Sequence, residues 1–162
     1  MALDTNVNQF KQGKAVGDIA LNFFGGESIV SVRYNPSGTG NLKAGETIRL
    51  VDLGASDLAG APIIDKRTTE IQAIFGVVKR SLKQAEFEPG DFVEVAIFGA
   101  VMYLKASAAL ARGVKVSGGI ATPGSIQAIG TKAYLGYTID KAGSGDIVRV
   151  MLTPDAVTAG TT

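Results

Sequence analysis

Four carboxylates, Glu86, Glu88, Asp91 and Glu94, fall within a stretch of nine residues and are the densest group able to act as general acid and base. A glycosidase-type pair sets two such groups across a cleft, commonly with aromatic platforms for the sugar. Here Glu86 and Glu88 run into Pro89-Gly90, a turn in which acids simply face water. Asp140 and Asp146, in Asp140-Lys141-Ala142-Gly143-Ser144-Gly145-Asp146, offer oxygen ligands to a hard cation such as Ca²⁺. The segment lacks the closing bidentate Glu and the flanking helices of a calcium loop. It reads as a hairpin loop with Asp146 in an Asx turn. The glycines of Ser37-Gly38-Thr39-Gly40-Asn41 and Gly143-Ser144-Gly145 are not followed by Lys-Ser/Thr and precede no helix, so they read as turns rather than phosphate cradles.

The chain has no histidine and no cysteine. Ser-His-Asp and Cys-His nucleophiles, thiolate metal sites and disulfides are therefore excluded. The expectation is a protein that is not an enzyme and has no catalytic, cofactor or metal-binding residues and no cofactor.

The elements that would position any site are strands. Ile29-Val30-Ser31-Val32-Arg33-Tyr34 alternates and stops at Asn35-Pro36-Ser37-Gly38. Further strand signals cover residues 46–51, 69–78, 92–97, 101–105, 114–116, 125–129, 133–139 and 147–152. Gly76 reads as a bend or bulge. Residues 92–105 read as a hairpin or one long bent strand, and residues 53–64 as a loop. The Ala-rich stretch 106–112 is the one short helix expected. A glycine followed by an acidic or polar residue and an alternating strand recurs at Gly45-Glu46, Gly90-Asp91, Gly113-Val114 and Gly145-Asp146. The glycine supplies positive φ in a tight turn, and the alternation buries one face of the next strand. The spacing of these turns is too uneven for a repeat architecture.

The expected fold is mainly β, a small barrel or sandwich with one short helix and an extended N-terminal arm. The expected division is an arm over residues 1–18, one β-rich domain over 19–154 and a flexible tail over 155–162. Among 162 residues, 46% are hydrophobic and only 19% charged, a surplus of apolar surface that a partner could cover. A net charge of +1 without a basic stripe argues against nucleic acid as a partner. Lys79-Arg80 and Asp65-Lys66-Arg67, the nearest things to basic clusters, read as solvated strand ends or turns. No run approaches a membrane span, and the N-terminus lacks the apolar core of a signal peptide. Phe10, in the arm, and Phe23-Phe24, before Gly25-Gly26, are the candidate partner-binding residues, with burial in the protein's own core the alternative for the pair.

Three stretches carry a resemblance: 89–101 (Pro-Gly-Asp-Phe-Val-Glu-Val-Ala-Ile-Phe-Gly-Ala-Val), 108–116 (Ala-Ala-Leu-Ala-Arg-Gly-Val-Lys-Val) and 135–152, which ends in Gly145-Asp146-Ile147-Val148-Arg149-Val150-Met151-Leu152. Their order and spacing over residues 88–152 resemble the capsid decoration (cement) proteins of tailed phages. That resemblance implies a structural protein of the virion, made in the host cytoplasm. It would bind the major capsid protein on the outer surface of the head and associate with itself, as a homotrimer, to stabilise the shell. An extended arm would add a strand to a neighbour's sheet edge. The alternatives are a tail-tube or head-completion subunit, or a carbohydrate-binding β-module.

Overall fold

The computed structural model describes residues 15–22, 28–53 and 60–154. Within them the strands in chain order are β1 (Ile19–Asn22), β2 (Ile29–Tyr34), β3 (Leu42–Lys43), β4 (Thr47–Leu50), β5 (Ile63–Lys66), β6 (Gly76–Val78) and β7 (Glu86–Phe87). They continue with β8 (Phe92–Ala96), β9 (Ala100–Ala106), β10 (Lys115–Gly118), β11 (Ser125–Ala128), β12 (Gly136–Thr138) and β13 (Ile147–Leu152). The mainly-β expectation holds. The expected helix does not: among the described residues there is no α-helix. Ala106 ends β9, residues 107–108 bend, and Leu110 pairs with Ala142 in an isolated bridge. A helix shorter than two turns has little to offset its nucleation, whereas this bridge exchanges two hydrogen bonds of 2.9 Å and leaves Leu110 and Ala142 buried.

The strands form two closed barrels on one plan. The first has the order β2-β5-β4-β6-β8. In the second, β9-β11-β10-β12-β13 is closed by a β9–β13 pairing, with β1 added on β9. In each, the first strand runs parallel to the third and antiparallel to the fifth, while the second lies antiparallel between the third and fourth. The equivalence extends to single hydrogen bonds. Tyr34 N–H donates to Asp91 O (2.8 Å) and Gly90 N–H to Tyr34 O (3.0 Å); Ala106 N–H donates to Asp146 O and Gly145 N–H to Ala106 O (both 2.8 Å). The uneven spacing that argued against a repeat arises in the loops. The connections at 51–62 and 79–90 of the first barrel are longer than their counterparts at 119–124 and 139–145.

The recurring glycine turns explain how the plan is written twice. Gly45, Gly90, Gly113 and Gly145 have φ of 84, 96, 74 and 86°, and each precedes the second or fifth strand of its barrel. After three of them an acid closes the turn from within. Asp91 accepts from Glu88 N–H (2.9 Å), Asp146 from Gly143 N–H (2.7 Å) and Glu46 from Lys43 N–H. Where Val114 stands in place of the acid, Thr138 substitutes from another strand. Its hydroxyl accepts from Val114 N–H (3.1 Å) and donates to Ala111 O (2.7 Å). Asp18 after Gly17 (φ 86°) makes a further copy of the turn ahead of β1, accepting from Ala15 N–H (3.1 Å).

Residues 92–105 are neither a hairpin nor one strand: β8 closes the first barrel, β9 opens the second, and Phe98-Gly99 turns between them. One core cluster lies in the first barrel, around Val32, Tyr34, Ile48, Ile64 and Val95. The other fills the second and takes in Ile74, Val77 and Ala96 from the first, so apolar packing is continuous across the seam. Each fully buried Ile or Leu contributes about 2 kcal/mol of transfer free energy.

Polar contacts fasten the same seam. Arg67, expected on the surface, is 5% exposed. It donates to Gln72 O (3.0 Å), Glu70 O (2.7 Å) and Thr47 Oγ1 (2.8 Å), and across the seam to Gly118 O (3.2 Å). Burial lowers its pKa to about 10, leaving it charged at neutral pH. Glu70 extends the link, accepting from Gln127 Nε2 (2.7 Å) and from Ala133 N–H (2.8 Å). Of the expected arm, residues 1–14 lie outside the described residues. Residues 15–18, by contrast, are a turn set into the seam: Gly17 N–H donates to Tyr103 O (2.9 Å), Arg80 N–H to Gly17 O (3.0 Å), and Val16 packs on the core. The tail beyond Pro154 lies outside the described residues.

Candidate interaction surface

Of the acids singled out for chemistry, Glu88 is exposed at its turn, and the others are engaged in holding turns and strands. Glu86 accepts from Asn41 Nδ2 (3.0 Å) and pairs with Lys43 (3.1 Å); the Asn41 hydrogen bond, then Lys43, lowers its pKa. Glu94 pairs with Lys79 at 2.7 Å, and Asp91 closes its turn as described. Asp140 is gripped by Arg149, whose Nη2 and Nε donate at 2.6 and 2.9 Å and whose backbone N–H donates at 3.1 Å. The arginine hydrogen bond pulls its pKa down to about 2. Asp146 makes no forward Asx turn; its carboxylate reaches back to Gly143. Among the described residues no group of three or more His, Cys, Asp or Glu is arranged to hold a metal ion. The Asn35 loop is a turn, with Gly38 N–H donating to Asn35 O (2.8 Å) and the buried Tyr34 hydroxyl donating to Gly40 O (2.8 Å).

Phe10, Phe23 and Phe24 lie outside the described residues. The described surface presents another apolar feature. Leu82, on the connection between β6 and β7, is 91% exposed, and Phe92, at the start of β8, is 65% exposed. They line one groove of about 650 Å³ together with Asp18, Lys79, Arg80, Lys83, Phe87 and Glu94. Phe87 enters the groove from β7, which lies antiparallel to β3, Leu42 opposite Phe87 and Lys43 opposite Glu86, in a separate two-stranded ribbon. Sequence parity already held part of this. Val93 and Val95 point inward, so Phe92 and Glu94 must point out. The exposure of Leu82 carries only the weaker signal of a lone apolar residue in Lys79-Arg80-Ser81-Leu82-Lys83-Gln84.

Fold and surface together define a small all-β protein of two tandem barrels, carrying a two-stranded ribbon and a groove in which Leu82 and Phe92 stand exposed among charged side chains. No protein-family model and no curated protein sequence matches the chain. Among solved structures the fold is similar to that of the head fiber gp8.5 N base of bacteriophage phi29. The TM-score is 0.51 at 16% identity, over 77% of this chain and 94% of that one. Among the described residues no helix is long and apolar enough to cross a membrane.

Proposed function

We propose that this chain is a non-enzymatic structural protein of a tailed-phage virion. It sits on the outer surface of the head, where it binds the major capsid protein and its own copies, as a homotrimer, and reinforces the shell. The observation that carries this reading is the fold shared with the base of a phage head fiber over nearly all of that base's length. The resemblance of residues 88–152 to head decoration proteins points the same way. It falls on strands β8 to β13 and the turns that set their register. A lattice of identical subunits multiplies individually weak contacts, so affinity need not reside in one deep pocket. Sedimentation of the purified chain with expanded heads lacking it provides the test. Saturable co-sedimentation at a fixed copy number per head supports the reading. Absence of binding to heads, with binding to tails or to polysaccharide instead, overturns it in favour of a tail subunit or a sugar-binding module.

A further inference from the structure

We propose that the free edge of β2, at residues 29–31, receives a strand from a second copy of this chain, and that residues 3–8 of that copy are the strand. The proposal rests on the self-association in the reading above. It names the edge that accepts the contact and the segment that makes it.

The second barrel shows what such an edge holds. β2 and β9 open their barrels, and their hydrogen bonds correspond one for one. Arg33 N–H donates to Pro62 O as Lys105 N–H does to Gly124 O, and Asn35 N–H donates to Ile64 O as Ser107 N–H does to Ile126 O (all 2.9 Å). Two residues earlier the match stops. Tyr103 N–H donates to Asp18 O, its carbonyl accepts from Gly17 N–H (both 2.9 Å), and Val101 lies opposite Leu21 of β1. Ser31 and Ile29, the counterparts of Tyr103 and Val101, have no such neighbour among the described residues. Their backbone groups do not turn to β8 instead. Tyr34 N–H donates to Asp91 O and Ile97 N–H to Ser28 O, so the even-numbered residues bond β8 and the odd-numbered ones face the other edge. Pro62, the next residue along that edge, has no N–H to offer the Ser31 carbonyl. Beside β1, Val101 and Met102 are 1% and 0% exposed, whereas Ile29 and Val30 at the same places are only partly buried. An unpaired edge of this kind is a template for a further strand.

The occupant of the second barrel's edge is the stretch 17–22 of the chain itself. Residues 1–14 precede it and lie outside the described residues. Within them Leu3-Asp4-Thr5-Asn6-Val7-Asn8 alternates apolar or β-branched with polar side chains, the pattern of a strand with one buried face. Paired with β2, it would set Leu3, Thr5 and Val7 on the Val30 face and Asp4, Asn6 and Asn8 on the Ser31 face. Exchange between copies is the form that suits a trimer. A segment given to the next copy is a heterologous contact, and a ring of three fills every edge. Two β2 edges paired with each other would stop at a dimer.

The chain has no cysteine, so introduced cysteines report the contact directly. Ser31→Cys is mixed with Asn6→Cys or Asn8→Cys, and for parity with Thr5→Cys or Val7→Cys, then oxidised in solution. Mixed covalent dimers are identified by mass. Ser31 is exposed, and a melting curve verifies that each variant folds. The expected result is a mixed dimer with Asn6→Cys or Asn8→Cys at several times the yield given by Thr5→Cys or Val7→Cys. Equal yields at all four positions overturn the strand pairing, and no mixed dimer at any of them overturns the exchange. In that case a disulfide closed within one chain of the Ser31→Cys/Asn6→Cys double variant returns the segment to its own barrel. These failures leave the virion reading standing if the unmodified chain binds heads. Mixed dimers from a chain that does not bind heads overturn that reading and keep the edge.

Discussion

Gly76 and Gly136 occupy the same place in the two barrels, each opening the fourth strand of its barrel, and each lets one strand lie against the backbone of the fifth. A Cβ on Gly76 would lie 2.5 Å from the carbonyl oxygen of Ala96, and one on Gly136 1.9 Å from that of Met151. Neither glycine has positive φ, so the requirement is for space. Alanine at either position is expected to destabilise the protein by about 2–4 kcal/mol, more at 136 than at 76. Urea unfolding measures this, and a variant as stable as the parent would contradict the close approach.

The turn before β10 uses a hydroxyl from another strand where its relatives use an adjacent acid. Thr138→Val removes a group that satisfies both Val114 N–H and Ala111 O and should cost about 1–3 kcal/mol. Adding Val114→Asp rebuilds the acid-closed form of the turn and should recover part of that loss. If the double variant is no more stable than the single, the turns are not interchangeable.

The Asp140–Arg149 pair gives stability an acid limb. The folded carboxyl titrates near 2 and an ordinary one near 3.8, so the contribution is complete above about pH 4 and disappears as pH falls towards 2. With 32% and 46% of their side-chain surfaces exposed, the two groups contribute at most about 1 kcal/mol. Melting curves of the parent and Asp140→Asn should separate above pH 4 and converge near pH 2. A constant gap across that range would place the effect of the substitution elsewhere.

Residues 15–18 belong to the folded seam. Two truncations, one lacking residues 2–14 and one lacking 2–18, isolate what this turn contributes. Deleting 2–18 also removes the Gly17–Tyr103 and Arg80–Gly17 hydrogen bonds and the packing of Val16, a loss of about 2–4 kcal/mol. Equal stability of the two truncations would show that the seam turn contributes nothing.

Much of the β architecture was legible because its signals are local. Alternation in Phe92-Val93-Glu94-Val95 and Ile147-Val148-Arg149-Val150 fixes which face is buried, and the glycine turns fix where strands begin. The doubling was hidden because the common plan lies in backbone pairing, which many side chains satisfy. Equivalent strands such as Ile29–Tyr34 and Ala100–Ala106 share an alternation and little else. Gly76 looked like a bulge because a missing side chain in a strand has two causes, and only the neighbouring strand distinguishes them. Arg67 looked solvated because its neighbours Asp65 and Lys66 are charged. Its acceptors, the nearby Glu70 and Gln72 carbonyls, the Thr47 hydroxyl and the distant Gly118 carbonyl, converge only in the fold, and no local pattern displays them. The groove was half legible: strand parity exposes Phe92, but Phe87 joins it there from a ribbon that exists only through the pairing of segments far apart in the sequence.

The central claim is that this chain is a head-surface protein of a virion, and cryo-electron microscopy of the phage with and without it tests that most directly. The account predicts a difference density on the outside of the head, repeated with the symmetry of the shell, into which the two barrels fit. Identical heads in the two reconstructions, or a difference confined to the tail, would contradict it.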